Sequence, residues 1–128
     1  MSVQVSTSRR AAVWVLQVAL GAYFAYSGLL LFGDGFAGKF DRIGLGQGLR
    51  YATGVLEIAG GVGLLVPALA AFAALGLAAV MAGAVVTELV LLLDPAAAVL
   101  PALLLALVSA VALFRWDAVR SAAQRFGK

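Results

Sequence analysis

The sequence predicts an all-α integral membrane protein, folded as an antiparallel bundle of four transmembrane helices. Of its 128 residues, 64% are hydrophobic and 12% are charged, against roughly 45–50% apolar and 25% charged residues in soluble domains. A soluble domain of this size could not hide so much apolar surface from water. The apolar residues also form four segments, each near the ~20 residues that cross the ~30 Å hydrocarbon core of a bilayer.

The four predicted helices form one domain, residues 1–128, and all but one of their connections are short. They cover about residues 11–32, 49–66, 68–93 and 95–114. Pro67 separates the second helix from the third, and Asp94 and Pro95 separate the third from the fourth. Asp94 is expected to cap the fourth helix, with Pro95 at its first position, where proline costs no hydrogen bond. Pro101 is expected to bend that helix.

The basic residues predict the orientation in the membrane. Six of them lie in the two tails: Arg9, Arg10, Arg115, Arg120, Arg125 and Lys128. Three lie on the opposite side of a four-helix bundle: Lys39, Arg42 and Arg50. Because cytoplasmic segments carry an excess of Lys and Arg, both termini are predicted to be cytoplasmic, and the bacterial inner membrane is the expected location.

The tail, residues 115–128, predicts a short interfacial helix. Trp116, Val119, Ala123 and Phe126 have the spacing of one helical face, and basic residues occupy the other positions. Such a helix lies at the headgroups of anionic lipids. The lipid bilayer is therefore an expected partner, and a nucleic acid is not.

Residues 33–50 form the one long connection, which mixes glycines, charges and large apolar side chains. Two interpretations fit this composition. It is a flexible outer loop that rests on the headgroups, or it is a lid over the outer mouth of the bundle. In the second case Lys39, Arg42 or Arg50 faces inward.

Polar side chains at one level of the bundle form the candidate site. With ~1.5 Å of rise per residue, Glu57 lies ~12 Å and Glu88 and Ser27 lie ~9 Å from the outer helix ends. A carboxylate that faced acyl chains would be costly, so both glutamates should face the interior and share a proton near neutral pH. The candidate ligand-binding residues are Tyr23, Tyr26, Ser27, Arg50, Thr53, Glu57, Gly61 and Glu88.

A structural role for these glutamates is the alternative. A protonated Glu57 can pin two helices by hydrogen bonding, or its carboxylate can pair with Arg50, two turns away on the same face. The sequence has no Cys and no His, which excludes disulfides and the usual zinc and haem ligands. No metal and no covalent cofactor are expected, and no nucleophile–base pair of a hydrolase is recognisable. The chain by itself is therefore not expected to be an enzyme.

Three motifs, in this order and spacing, resemble the DoxX-like family of small four-helix membrane proteins. They are "FAYSGLLLF", "LRYATGVLEIAGGVGLLVPALAA" and "MAGAVVTEL", and the resemblance covers roughly residues 14–114. The family's motif positions fall on Ser27, Gly28, Gly54, Glu57, Gly61 and Pro67. Two departures stand out: family members often carry a lysine where this chain has Leu30 and Leu31, and many carry a histidine near the position of Glu88. Lys39 or Arg42 could supply the cation, and Glu88 could keep the proton-binding role.

The resemblance implies a membrane subunit with a ligand or a partner. The family takes its name from a subunit associated with thiosulfate:quinone oxidoreduction, and relatives resemble parts of redox and stress complexes or assist receptor assembly. The first hypothesis is therefore an accessory subunit that binds a quinone or another lipophilic molecule and receives electrons from a redox partner protein. The second is a small proton-coupled transporter, and the third is an assembly scaffold. A homo-oligomer is compatible with each.

Overall fold

The structure is a computed structural model that describes residues 2–126, with side chains described for residues 9–116 and for Arg120. Regular structure in residues 2–126 is helical throughout, without a strand, which confirms the all-α prediction. The elements are α1 (Ser2–Leu30), a 3-10 turn (Asp34–Phe36), α2 (Ala37–Ile43), α3 (Gln47–Leu64), α4 (Ala70–Val86), a π-helical turn (Thr87–Leu91) and α5 (Val99–Phe126).

Three stretches of helix are long and apolar enough to cross a membrane. They are Arg9–Leu30, Ala70–Leu91 and Val99–Trp116. Many of their apolar side chains point outward: Val15 is 71% and Leu113 is 79% exposed. Exposed apolar surface on this scale requires a lipid solvent, so the chain is an integral membrane protein. The shorter helix α3 is not among the three, because two charged residues and five glycines lower its hydropathy.

The four long helices pack in the order α1, α3, α4, α5. Helices α1 and α5 meet in their middle parts, where Arg115 of α5 contacts Trp14 and Gln17 of α1. An apolar core fills the middle of the described bundle. Its fully or almost fully buried side chains include Leu20, Phe24, Leu64, Leu77, Val108 and Val111.

Helices α1 and α3 approach each other backbone to backbone at two pairs of glycines. A Cβ atom on Gly61 would lie 2.7 Å from the carbonyl oxygen of Gly21, and one on Gly28 would lie 2.6 Å from that of Gly54. Ordinary contacts of a Cβ atom begin near 3.4 Å. Only glycine fits at this separation, which is a common device for packing helices in lipid.

The boundary between the third and fourth predicted helices differs from the sequence-based expectation. The α4 helix loosens into the π-helical turn, which ends at Leu91, and Leu93 shortly after it has a left-handed φ of 51°. The next helix begins at Val99 rather than at Pro95, after a turn in which the Asp94 side chain accepts a hydrogen bond from the Ala97 N–H at 3.2 Å. Pro101 therefore lies in the first turn of α5, where its missing N–H costs little.

The predicted tail helix is a continuation of α5, which runs without a break to Phe126. Trp116 is partly exposed and Arg120 is exposed. The side chains of Val119, Ala123 and Phe126, which define the predicted apolar face, lie outside the part that the structure describes.

Candidate functional site

The connection between α1 and α3 folds into a lid, the helix α2, rather than an irregular loop. Two glycines at left-handed φ values make its return to α3 possible: Gly44 at 85°, which ends α2, and Gly46 at 88°, which precedes α3. Residues with a Cβ rarely adopt these angles. Phe40 of this lid helix has a buried side chain. Of the two interpretations of residues 33–50, the structure agrees with the lid.

Two side chains of α3 fasten the lid to the bundle. The Gln47 amide donates to the Ala37 carbonyl at 3.0 Å and to the Asp41 carboxylate at 2.7 Å, both on α2. The side chain of Arg50 is buried. Its Nε donates to the side-chain oxygen of Gln47 at 2.7 Å, and its Nη1 donates to the Leu31 carbonyl at 2.7 Å. It also donates to the Gly33 carbonyl, so the guanidinium binds carbonyl groups left free at the end of α1.

A cavity of about 510 Å³ lies beneath α2, among all four long helices. Polar or charged side chains in its wall are Tyr23, Ser27, Lys39, Thr53, Glu57, Thr87 and Glu88. The remaining wall is largely apolar and includes Leu31, Phe36, Phe40, Ile43, Leu49, Met81, Leu100 and Leu104. An apolar cavity with a few convergent polar groups is the arrangement that binds a lipophilic molecule with a polar head.

Both glutamates face this cavity and both are almost fully buried, at 5% exposure for Glu57 and 4% for Glu88. The Ser27 hydroxyl donates a hydrogen bond to Glu57 Oε1 at 3.0 Å. Lys39 of the lid forms an ion pair with Glu88 Oε1. One carboxyl group is therefore held by a neutral donor and the other by a cation, so the two groups differ chemically.

The register of the helices explains which side chains line the wall. Tyr23 and Ser27 lie one turn apart on one face of α1, and Leu31, one turn further, follows directly after the end of the helix. On α3, Leu49, Thr53 and Glu57 repeat the same spacing. Glu88 reaches the cavity from the π-helical turn, a local irregularity that often occurs at functional sites because it shifts a side chain out of the regular helical register.

Three of the predicted site residues lie elsewhere. Tyr26 is 63% exposed on the outside of α1, since it is one position away from the face of Ser27. Arg50 binds the carbonyls of Leu31 and Gly33 instead of entering the cavity or pairing with Glu57, so the predicted Arg50–Glu57 pair does not form. Gly61 lies at the α1–α3 crossing, outside the cavity wall.

The sequence analysis missed a second polar cluster, at the opposite end of the bundle. Gln17 is fully buried; its Nε2 donates to the Leu64 carbonyl at 2.8 Å, and its Oε1 accepts from Arg115 Nε at 2.7 Å. An amide within the apolar run "WVLQVAL" was the available signal. Among the described side chains, no group of three or more Asp, Glu, His or Cys residues is placed to hold a metal ion.

Comparison with protein-family models identifies a family for this chain. A sequence model described as the DoxX-like family matches residues 15–111, which is most of the chain. The chain has no match among curated proteins and none among solved structures. The matched range begins within α1, ends within α5 and includes every residue that lines the cavity.

Proposed function

The chain belongs to the DoxX-like family, and from this premise we propose that it binds a quinone-like or other lipophilic small molecule in the cavity beneath α2. The observation that carries the proposal is the cavity itself, about 510 Å³ with an apolar wall and a few convergent polar groups. Small-molecule sites commonly enclose ≈ 300–1,000 Å³ and have this composition. The volume suits a substituted ring with part of an apolar tail.

Glu57 is the residue proposed to bind the polar head of the ligand. A protonated carboxyl group donates a hydrogen bond and a carboxylate accepts one, so the same side chain can serve the oxygen of a quinone or the hydroxyl of its reduced form. Ser27 orients this group by its bond to Oε1. The hydroxyl of Tyr23 and the ammonium group of Lys39 are further donors in the wall.

The proposed role is that of an accessory subunit of a redox or stress-related complex. The sequence has no Cys and no His, so a redox partner protein would supply or accept the electrons while Glu57 and Glu88 exchange protons with the ligand. Lys39 lines the same cavity as Leu31, which occupies a position where family members often carry a lysine, and its ion pair with Glu88 supports Lys39 as the replacement cation.

The proposed topology has all four long helices crossing a bacterial inner membrane, with both termini in the cytoplasm and the lid outside. The hydrogen bond between Arg115 of α5 and Gln17 of α1, on the side away from the lid, supports this arrangement. Reporter fusions at Gly38 and Asp94 should then read external, and fusions at Pro67 and the C-terminus should read cytoplasmic. An external C-terminus would refute it. Homo-oligomer formation stays a prediction.

The binding test uses the purified chain in detergent and a short-tailed ubiquinone analogue. Loss of one hydrogen bond to a charged group costs ≈ 1.5–3 kcal/mol, so Glu57→Gln and Glu57→Leu should each weaken binding roughly ten- to hundredfold. Tyr26→Phe is the matched control: it removes a polar group from the same level of α1, but outside the cavity, and should bind normally. Mass spectrometry of the organic extract would identify any natural occupant.

The alternative structural role of Glu57 makes the opposite prediction. If Glu57 only pins helices, Glu57→Leu should lower the thermal midpoint while Glu57→Gln keeps normal stability and normal ligand binding. If it binds the ligand, Glu57→Leu should keep or raise stability, because it removes a costly buried polar group, and should still lose binding. Measuring thermal stability and ligand retention on the same samples separates the two cases.

The transporter and the scaffold stay as competing predictions with their own readouts. A proton-coupled transporter should take up protons in liposomes when substrate is added, and Glu57→Gln should abolish that uptake. A scaffold should capture a fixed membrane-protein partner, and Glu57→Gln and Glu88→Gln should leave the capture unchanged. Either result, together with unaltered binding of the quinone analogue in both variants, would replace the ligand-binding proposal.

A further inference from the structure

The end of the bundle opposite the cavity carries a basic cluster that the proposed function does not use. On α1, Arg10, Trp14 and Gln17 follow the spacing i, i+4, i+7 and share one face. Arg115 of α5 packs against this face. These four residues form the basic cluster. Along α1, Gln17 lies ten residues from Ser27, so the cluster and the glutamate layer are separated by ~15 Å of helix.

The contacts within the cluster hold Arg115 in a fixed position. Gln17 is fully buried, and its amide is oriented by its bond to the Leu64 carbonyl. That orientation leaves the Gln17 oxygen to accept from Arg115 Nε at 2.7 Å. The guanidinium carbon also lies 5.1 Å from the centre of the Trp14 ring, within cation–π distance. Because these contacts already hold the guanidinium in place, binding of a ligand to it would cost little further side-chain entropy.

The cluster has positive charge and no carboxylate partner among the described side chains. Nη2 of Arg115 is buried and makes no hydrogen bond with the residues that the structure describes. Arg10 lies one turn before Trp14 on the same face of α1 and has an exposed side chain. The ion pair formed by the described side chains is that of Lys39 and Glu88, at the other end of the bundle. A buried donor without a partner is costly, so an anion placed here would relieve that penalty.

We propose that Arg10, Trp14 and Arg115 bind a phosphate group, either that of an anionic phospholipid headgroup or a soluble phosphate. A guanidinium presents paired N–H groups that match the geometry of phosphate oxygens. Trp side chains favour the headgroup level of a membrane, and basic pockets between transmembrane helices bind anionic lipid headgroups. The proposed site is an ordered phosphate position between α1 and α5, distinct from the cavity and from diffuse attraction of the basic tail.

The test uses Trp14 as a local reporter. The sequence has two tryptophans, so Trp116→Phe in the full-length chain leaves Trp14 as the single fluorophore. The protein is reconstituted in phosphatidylcholine vesicles that contain brominated phosphatidylglycerol or, for comparison, brominated phosphatidylcholine. Bromine quenches tryptophan at short range, so the degree of quenching reports which lipid sits beside Trp14. Brominated phosphatidylglycerol should quench more strongly at equal mole fraction.

Two variants give the sharpest comparison. Arg10→Gln removes a charge from the cluster, and Arg9→Gln removes the same charge from a neighbouring exposed position on a different face. Diffuse attraction of ≈ 1 kcal/mol for each basic residue near a membrane surface would lower the preference for phosphatidylglycerol about fivefold in either variant. A specific site requires Arg10→Gln to lower this preference clearly more than Arg9→Gln does. Equal losses in both variants would overturn the proposal, since they would indicate diffuse attraction.

Arg115→Lys supplies a second readout, because it keeps the charge and loses the planar pair of donors. It should also lower the preference for phosphatidylglycerol, and an unchanged preference would contradict a guanidinium site. Millimolar inorganic phosphate decides the source of the phosphate group. If it abolishes the quenching while chloride at equal ionic strength does not, the site takes a soluble phosphate; if it has no effect, the site takes the lipid.

Discussion

Replacing Gly61 with alanine should separate helix α1 from helix α3. In the structure a Cβ atom at this position would lie 2.7 Å from the Gly21 carbonyl oxygen and 2.8 Å from the Ala25 nitrogen. Both are backbone atoms, so no side chain can rotate away. To reach an ordinary contact near 3.4 Å, the helices would have to part by about 0.7 Å, and a gap of that size forfeits a quarter to a half of the dispersion energy along the crossing.

The size of the effect follows from two opposing terms. Overpacking of a tight site lowers the free energy of unfolding by about 1–3 kcal/mol. The higher helix propensity of alanine raises it by up to about 1 kcal/mol relative to glycine. The expected net loss for Gly61→Ala is about 1–2 kcal/mol. Gly76→Ala is the control, because a Cβ atom there meets nothing within 4 Å. This variant should be neutral or more stable by up to about 1 kcal/mol.

Thermal unfolding in detergent, followed by tryptophan fluorescence, measures both variants. The sequence analysis placed Gly61 among the ligand-binding residues, and the same experiment separates that role from packing. If Gly61→Ala binds the quinone analogue poorly but unfolds at the wild-type temperature, Gly61 belongs to the binding site and the packing argument fails. Equal stability of Gly61→Ala and Gly76→Ala would likewise refute the close approach of α1 and α3.

Three further predictions concern the lid and the turn before α5. Lys39→Gln should break the ion pair with Glu88 and open the lid, so the amide hydrogens of α2 should exchange faster. Arg42→Gln changes an exposed residue of the same helix and should leave the exchange rate of α2 unchanged. Asp94→Ala should lower stability by about 1 kcal/mol in thermal unfolding through loss of the hydrogen bond that closes the turn before α5; an unchanged midpoint would show that this bond contributes nothing. Leu93→Gly should keep or raise the midpoint, because the left-handed φ of Leu93 costs about 1 kcal/mol that glycine avoids.

The sequence was sufficient to predict the helical class and the convergence of the two glutamates. Both follow from simple quantities: the length of each apolar segment, and the depth of Glu57 and Glu88 along helices of constant rise. The spacing of Tyr23 and Ser27 also carried information, since side chains one turn apart share a face. The same rule excludes Tyr26 from that face, so its inclusion in the predicted site was avoidable.

Other features depend on contacts that no local pattern encodes. Lys39 meets Glu88 only because the connection folds into α2, and this fold depends on the long-range bonds of Gln47. The sequence suggests that Arg50 pairs with a carboxylate. In the structure it instead binds carbonyl groups at the end of α1, and these acceptors can be identified only when the position of that helix end is known. No spacing of apolar residues in the sequence predicts the π-helical turn around Glu88.

The apolar core between the two polar layers has a consequence for sidedness. Phe24, Leu64, Leu77 and Val108 are fully or almost fully buried, and they lie between the glutamate layer and the basic cluster. Such packed apolar side chains hold no chain of water that could relay a proton. If Glu57 and Glu88 exchange protons as proposed, this core would direct the exchange toward the compartment on the lid side. Each proton released by a hydroquinone bound at the proposed site would then leave toward one face of the membrane, and its oxidation would be vectorial.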